Sequence, residues 1–169
     1  MPVEDYLQKH FEDREPEYRD GILEEREMPD AIHGLFQSLL AVLLGPQMLA
    51  GQLAVVTETR MRLGERRYVL PDVAIFEGRI TEIIPSLPPL AVIEILSPSE
   101  SMPQILRKFG EYHQWGVENI WLIDPAQRSI SQFDGQRLLP LEGLSVPKYT
   151  VSILATDLFN AADRLAPPR

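Results

Sequence analysis

The stretch Leu90–Leu96 reads Leu-Ala-Val-Ile-Glu-Ile-Leu, and its one acid, Glu94, constrains the chain more than any other residue. The remaining positions are apolar and partly β-branched, the composition of a strand buried on both faces in the middle of a sheet. An ionised carboxylate there is costly unless it is paired, hydrogen-bonded or bound to a cation. Two solutions are open. An Arg or Lys can complete a buried ion pair, or a second acid can share a divalent cation with Glu94. The candidate second acid is Asp72 in Leu70-Pro71-Asp72-Val73. Strand alternation groups Asp72 with Leu70 and Ala74, and Glu94 with Val92 and Leu96. If the two strands are neighbours, both carboxylates project from one sheet face. Two such acids raise one another's pKa unless a divalent cation fills the gap. Oxygen-only ligation favours Mg²⁺ or Mn²⁺ over zinc.

The surrounding pattern predicts an α/β (α+β) fold: one mixed central sheet flanked by helices, with an N-terminal β-hairpin. Residues 16–20 and 22–27 read as short extended segments about the turn Asp20-Gly21. Ala31–Leu44 has apolar residues at helical spacing, Asp30 as N-cap and Gly45-Pro46 as a stop. Residues 52–63 and 66–76 read as strands about Gly64, with Pro71 marking an edge or a bulge. Met102–Trp115 is predicted helical, with Ile105, Phe109, Tyr112 and Trp115 on one stripe and Gly116 as its end. Ser97 and Ser99 are expected to cap that helix; neither lies in a G-x-S-x-G elbow, so a serine-hydrolase reading fails. Residues 118–123 and 129–133 read as strands, residues 150–160 as a short strand and helical turn, and 166–169 as a frayed tail.

A length of 169 residues suits a single domain over 1–169, with residues 1–15 as an acidic N-terminal segment. The absence of cysteine excludes disulfides, thiolate metal sites and cysteine nucleophiles. Three scattered histidines make no zinc cluster, and there is no Gly-rich phosphate loop. No apolar run approaches the roughly 20 residues that span a bilayer. The first ten residues lack a basic-then-apolar leader pattern, so the expectation is a soluble, cytoplasmic protein with no membrane partner. The net charge of −9 argues against a sequence-blind nucleic-acid coater. Most of that charge lies in residues 1–30, which hold eleven acids and four bases. The nearly neutral remainder carries one basic cluster, Arg60, Arg62, Arg66 and Arg67. It is either a solvated hairpin tip or a phosphate contact surface.

Pro71-Asp72, Glu94, Ser97-Pro98-Ser99, Lys108 with Tyr112, Gly116-Val117 and Trp121 before Asp124-Pro125 form an ordered set. This set resembles the Uma-type restriction endonuclease family of the PD-(D/E)XK, or restriction-endonuclease-like, nuclease superfamily. Glu17, Asp20-Gly21 and His33 also sit where the family carries similar residues, so the resemblance spans most of residues 16–134. It implies a restriction-endonuclease-like fold and metal-dependent hydrolysis of DNA phosphodiesters. Asp72 and Glu94 would then be the ligands of Mg²⁺ (or Mn²⁺), and Lys108 the catalytic lysine. Leu96 stands where the superfamily expects a lysine on the strand of Glu94, so Lys108 must reach the site from the following helix. Gln104 replaces an acid that the family often carries one helical turn before that lysine.

The resemblance leaves several roles open. Lys108 is otherwise a solvated helix residue, and Tyr112 either packs against its stem or belongs to the core. Glu17 is a further acid at the metal site or a surface hairpin carboxylate. His33 is a supporting group behind the ligands or a packed residue at a helix start. The alternative to an active nuclease is a catalytically inactive nuclease-fold module for binding or oligomerisation. A homodimer suits cutting of both strands, since that needs two sites.

Overall fold

In the computed structural model, which describes residues 1–167, the chain is organised around a six-stranded mixed sheet in the order β10-β9-β8-β7-β6-β3. Its strands are β3 (Leu53–Thr57), β6 (Val73–Glu77), β7 (Ala91–Ile95), β8 (Asn119–Asp124), β9 (Ser129–Phe133) and β10 (Leu138–Leu141). Strand β7 lies between β6, antiparallel to it, and β8, parallel to it, and all five of its residues are buried. The parallel pair is joined by the crossover helix α4 (Met102–Trp115), as a parallel connection requires.

Alternation along the strands divides the core in two. Val73, Ile75, Ile93, Ile95, Trp121 and Ile123 pack with residues of α2 (Ala31–Leu43) and α5 (Ala155–Leu165). Ala74, Val92, Ile120 and Leu122 pack on Ile105, Phe109 and Tyr112 of α4. Glu94 shares the parity of Val92 and therefore faces α4.

Helix ends fix how these faces meet. Asp30 accepts a hydrogen bond from the His33 amide at 2.8 Å, capping α2 and setting where His33 begins the helix. An Asp30→Ala variant is expected to lose about 1 kcal/mol in urea unfolding, the usual cost of a missing N-cap. Helix α4 opens with a capping box between Ser101 and Gln104 and closes at Gly116, whose φ of 106° is left-handed. Ser101 is thus the cap. Ser97 and Ser99 instead contact one another at 3.3 Å, while Ser97 and its amide hydrogen-bond Glu100.

The mixed central sheet and the N-terminal hairpin are as expected from the sequence, but two further sheets accompany the central one among the described residues. A four-stranded sheet runs β2 (Ile22–Glu24), β1 (Glu17–Arg19), β5 (Arg67–Val69), β4 (Met61–Gly64). The hairpin turn between β1 and β2 uses Asp20 and Gly21 at φ 49° and 94°. The two long strands expected over 52–63 and 66–76 are each split. The chain leaves β3 at Glu58 (φ 51°), forms the β4–β5 hairpin on the second sheet, and returns through Leu70–Asp72 to β6. Pro71 lies in the return, where a residue without an N–H cannot continue a ladder. The third sheet pairs β11 (Gly143–Val146) with β12 (Val151–Leu154), bracketing a 3₁₀ turn over Pro147–Tyr149.

Further differences are local. Gly45-Pro46 does not end the helical path; a short α3 (Gly45–Leu49) follows with proline in its first turn, a position that needs no N–H donor. Helix α5 is eleven residues long, more than the helical turn expected. Ala166 donates its amide to Ala162 at the end of α5, and residues 168 and 169 of the expected tail lie outside the described residues. Helix α1 (Val3–Gln8) places Tyr6 against Tyr18 of β1, with ring centroids 5.0 Å apart, and so braces the strand that carries Glu17. No described helix is long and apolar enough to cross a membrane.

Candidate active site

The register of β6 with β7 pairs Val73 with Ile93, and one further step sets Asp72 across from Glu94. Both residues are buried, at 4% and 2% exposure, as is Glu17 at 5%. Asp72 Oδ2 accepts the Ile95 amide at 2.8 Å, which locks the start of β6 to the end of β7. From α4, Lys108 places its Nζ 2.9 Å from Glu94 Oε1 and 2.9 Å from Glu17 Oε1. One helical turn on, Tyr112 donates its hydroxyl to Glu94 Oε1 at 2.7 Å. The buried ion pair is therefore present through Lys108, and the second acid that the alternative requires stands at the adjacent strand.

Glu17 is fixed from its other side, where Arg67 Nη2 donates at 2.7 Å and the Leu70 amide at 3.3 Å. Behind Asp72, His33 Nε2 stands 3.2 Å from Asp72 Oδ1 and 3.9 Å from Glu58 Oε1. Arg26 and Arg14 approach the same Asp72 oxygen at 3.4 and 3.6 Å. Glu17, Asp72, Glu94 and Lys108 line an open cleft of about 440 Å³, with Arg14 and Arg26 on its wall.

The environments pull the acids apart. Burial, together with the charge of Asp72, pushes the Glu94 carboxyl up to about 8, against the opposing pull of Lys108 and Tyr112. Burial also acts on Glu17, but Lys108 and Arg67 outweigh it and hold that carboxyl down at about 2. At Asp72 burial is again outweighed, by His33, and the carboxyl lies below its ordinary value. Lys108 is held above its ordinary value because Glu17 and Glu94 overcome the cost of burial. Of the three acids, Glu94 is the one whose charged form its surroundings disfavour, whereas those of Glu17 and Asp72 are favoured.

Glu94 thus has the least compensated charge of the three. Two hard carboxylates from adjacent strands suit a divalent cation of the Mg²⁺ or Mn²⁺ type, which would supply that positive charge. His33, Glu58 and Asp72 form a second group whose potential ligand atoms lie within 4.8 Å of one another. There, however, Glu58 is already engaged by Arg14, Arg26 and Gln37.

Of the residues singled out from the sequence, Asp72, Glu94, Lys108, Glu17 and Tyr112 converge, and His33 adjoins them through Asp72. The four arginines are divided. Arg67 lines the cleft, bound to Glu17 and, at 2.8 Å, to Glu111. Arg60 pairs with Glu15 and lies 4.6 Å from the centre of the Tyr6 ring. Arg66 is largely exposed, 3.4 Å from Asp20, and Arg62 is exposed on β4. Gln104 lines the cleft but is committed to the capping box. Sequence reasoning missed Arg14, Arg26, Gln37 and Glu58. The arginines lie within an acid-rich stretch, and no spacing distinguishes them.

The family model Uma2, described as "Putative restriction endonuclease", matches residues 3–150. The structure is similar to that of a "putative nuclease belonging to DUF820" from Anabaena variabilis, with a TM-score of 0.78. That match covers 96% of this chain and 99% of the other at 21% identity, and it establishes the fold alone. A cryo-EM structure of a DrdV–DNA complex matches 81% of this chain and 14% of that one at 13% identity. Its TM-score of 0.36 is too low to carry an argument. No curated protein matches.

Proposed function

Because the chain belongs to the Uma2 family, we propose that it is a divalent-cation-dependent endonuclease that hydrolyses phosphodiester bonds in DNA. One observation carries this reading: Asp72 and Glu94, both buried, line one cleft, with Lys108 Nζ 2.9 Å from Glu94. Asp72 and Glu94 would hold Mg²⁺ or Mn²⁺. When bound, that ion would supply Lewis-acid polarisation of the scissile phosphate and a more acidic bound water.

The protein's own groups divide the remaining work. Lys108, held protonated by its two acids, suits stabilisation of negative charge building on the phosphoryl oxygens and not proton abstraction. Glu17 anchors that ammonium from the far side, so it positions Lys108 without competing for the phosphate. Tyr112 orients Glu94, and His33 supports Asp72. The exposed Arg62, and Arg66 in its exposed pair with Asp20, could meet a DNA backbone at longer range, whereas Arg60 and Arg67 are held in less exposed pairs with acids.

Incubation of the purified protein with plasmid, single-stranded and branched DNA, with Mg²⁺ or Mn²⁺, tests the proposal. Cleavage that EDTA abolishes and that Glu94→Ala lacks is expected; cleavage persisting in Glu94→Ala would remove the assignment. A second reading, a nuclease fold that binds without cutting, rests on Arg14 and Arg26 already standing 3.6 and 3.4 Å from Asp72. It expects no cleavage by the unaltered protein, with DNA binding that survives Glu94→Gln.

A further inference from the structure

Glu58 has an unusual position. Its φ of 51° is left-handed, a conformation that a residue with a long side chain adopts only when its surroundings require it. The backbone is pinned where Asp72 is carried, since the Glu58 amide donates to Pro71 O at 3.2 Å and Asp72 O at 3.4 Å. Its carboxylate is gripped on both oxygens. Arg14 and Gln37 Nε2, the latter at 2.9 Å, meet Oε1, and Arg26 Nη1 meets Oε2 at 2.5 Å. Two guanidiniums and an amide N–H converging on paired anionic oxygens is the donor set that also recognises a phosphodiester.

The donors are better fixed than the acceptor. The Arg14 and Arg26 side chains are 14% and 10% exposed, whereas that of Glu58 is 30% exposed. Each donor has a second anchor besides Glu58: Arg14 on the Glu27 carbonyl, Arg26 on Asp72 Oδ1 at 3.4 Å, and Gln37 on the Asp72 carbonyl at 3.0 Å. Removal of the Glu58 carboxylate would leave the three donors held beside Asp72, two of them, Arg14 and Arg26, on the wall of the cleft where the reacting phosphate is proposed to lie.

The geometry points to Arg14, Arg26 and Gln37 as a phosphate-binding fork for the DNA strand, with the Glu58 carboxylate occupying it until a backbone phosphate takes its place. This deepens the nuclease reading, on which the identity of the ligand rests. It also places the principal backbone contact at Arg14, Arg26 and Gln37, away from the Arg60–Arg67 cluster.

The test is the affinity for a fluorescein-labelled DNA oligonucleotide in EDTA, where hydrolysis does not intervene. Glu58→Gln is expected to bind about tenfold more tightly, with a log K against log salt slope steeper by about one. Glu58→Asp, which keeps the charge but shortens the reach, is expected to gain as well. Arg26→Gln is expected to bind about tenfold more weakly, and the gain from Glu58→Gln is expected to vanish in that background. Unchanged or weaker binding by both Glu58 variants, in protein whose unfolding curve shows it folded, would overturn the proposal. So would an equal gain in the Arg26→Gln background, which would mean a general charge effect. Loss of calorimetric Mn²⁺ binding in Glu58→Gln would make Glu58 a cation ligand and overturn it too. Cleavage in Mg²⁺ separates the two readings: cleavage without the affinity gain removes only the fork, and the gain without cleavage removes only the nuclease.

Discussion

Glu94→Gln should abolish DNA hydrolysis, by about a thousandfold or more, while leaving the protein as stable as before or more so. The two effects separate because the group is costly to the fold. A buried carboxyl held at about 8 takes up a proton on folding at neutral pH. Its folded pKa is raised, so its contribution to stability is complete below the ordinary carboxyl value of 4.5 and is lost as pH rises towards about 8. Glutamine removes that loss, keeps the volume, and offers Tyr112 and Lys108 an acceptor oxygen. Urea unfolding at pH 6 and pH 8.5 should therefore show the variant gaining on the unaltered protein at the higher pH. A uniform loss of stability, with activity falling in proportion, would instead make Glu94 a structural residue.

Lys108→Met should have the opposite stability effect. It leaves Glu17 and Glu94 in a buried place without their shared cation, and breaking a buried pair by removing one partner costs about 3–5 kcal/mol. Both carboxyls then rise. A raised carboxyl contributes its stability below its unfolded value and loses it with increasing pH, so the deficit should be largest in alkali and shrink towards acid. In the unaltered protein Glu17 runs the other way: its carboxyl is lowered to about 2, and its contribution is present above 4.5 and lost as pH falls towards 2. Combining Lys108→Met with Glu94→Gln should recover part of the loss, because one of the two stranded acids is gone. Activity should fall in Lys108→Met even where acid pH restores the fold. A variant as stable as the parent at pH 8 would mean that Lys108 does not neutralise the two acids.

The parts of this site legible in the sequence are those with a local signature. An acid inside Ala-Val-Ile-Glu-Ile-Leu can be placed in a central strand without knowledge of its neighbours, and parity then selects the face it shares with Asp72. Helices α2 and α4 were legible because their apolar stripes and caps lie within one window. The partners of Asp72 were not. Arg14, Arg26, Gln37 and Glu58 meet only because the chain crosses from β3 to the second sheet and returns at Pro71, and separations of 21 to 44 residues leave no periodic trace. The same crossing explains why two strands on either side of Gly64 read as continuous: each half alternates correctly, and the break lies in φ at Glu58 and in the missing N–H of Pro71. Strands β10 and β11 are four residues each, too short for alternation to distinguish them from loop.

The pairing of Asp72 with Glu94 around a divalent cation can be read without any DNA, by titrating Mn²⁺ calorimetrically into the protein and into Glu94→Gln at pH 6, 7 and 8. Binding of one ion is expected, strengthening by up to about tenfold per pH unit as Glu94 gives up its proton, with proton release that disappears in Glu94→Gln together with most of the affinity. Absence of binding, or equal binding by Glu94→Gln, would contradict it.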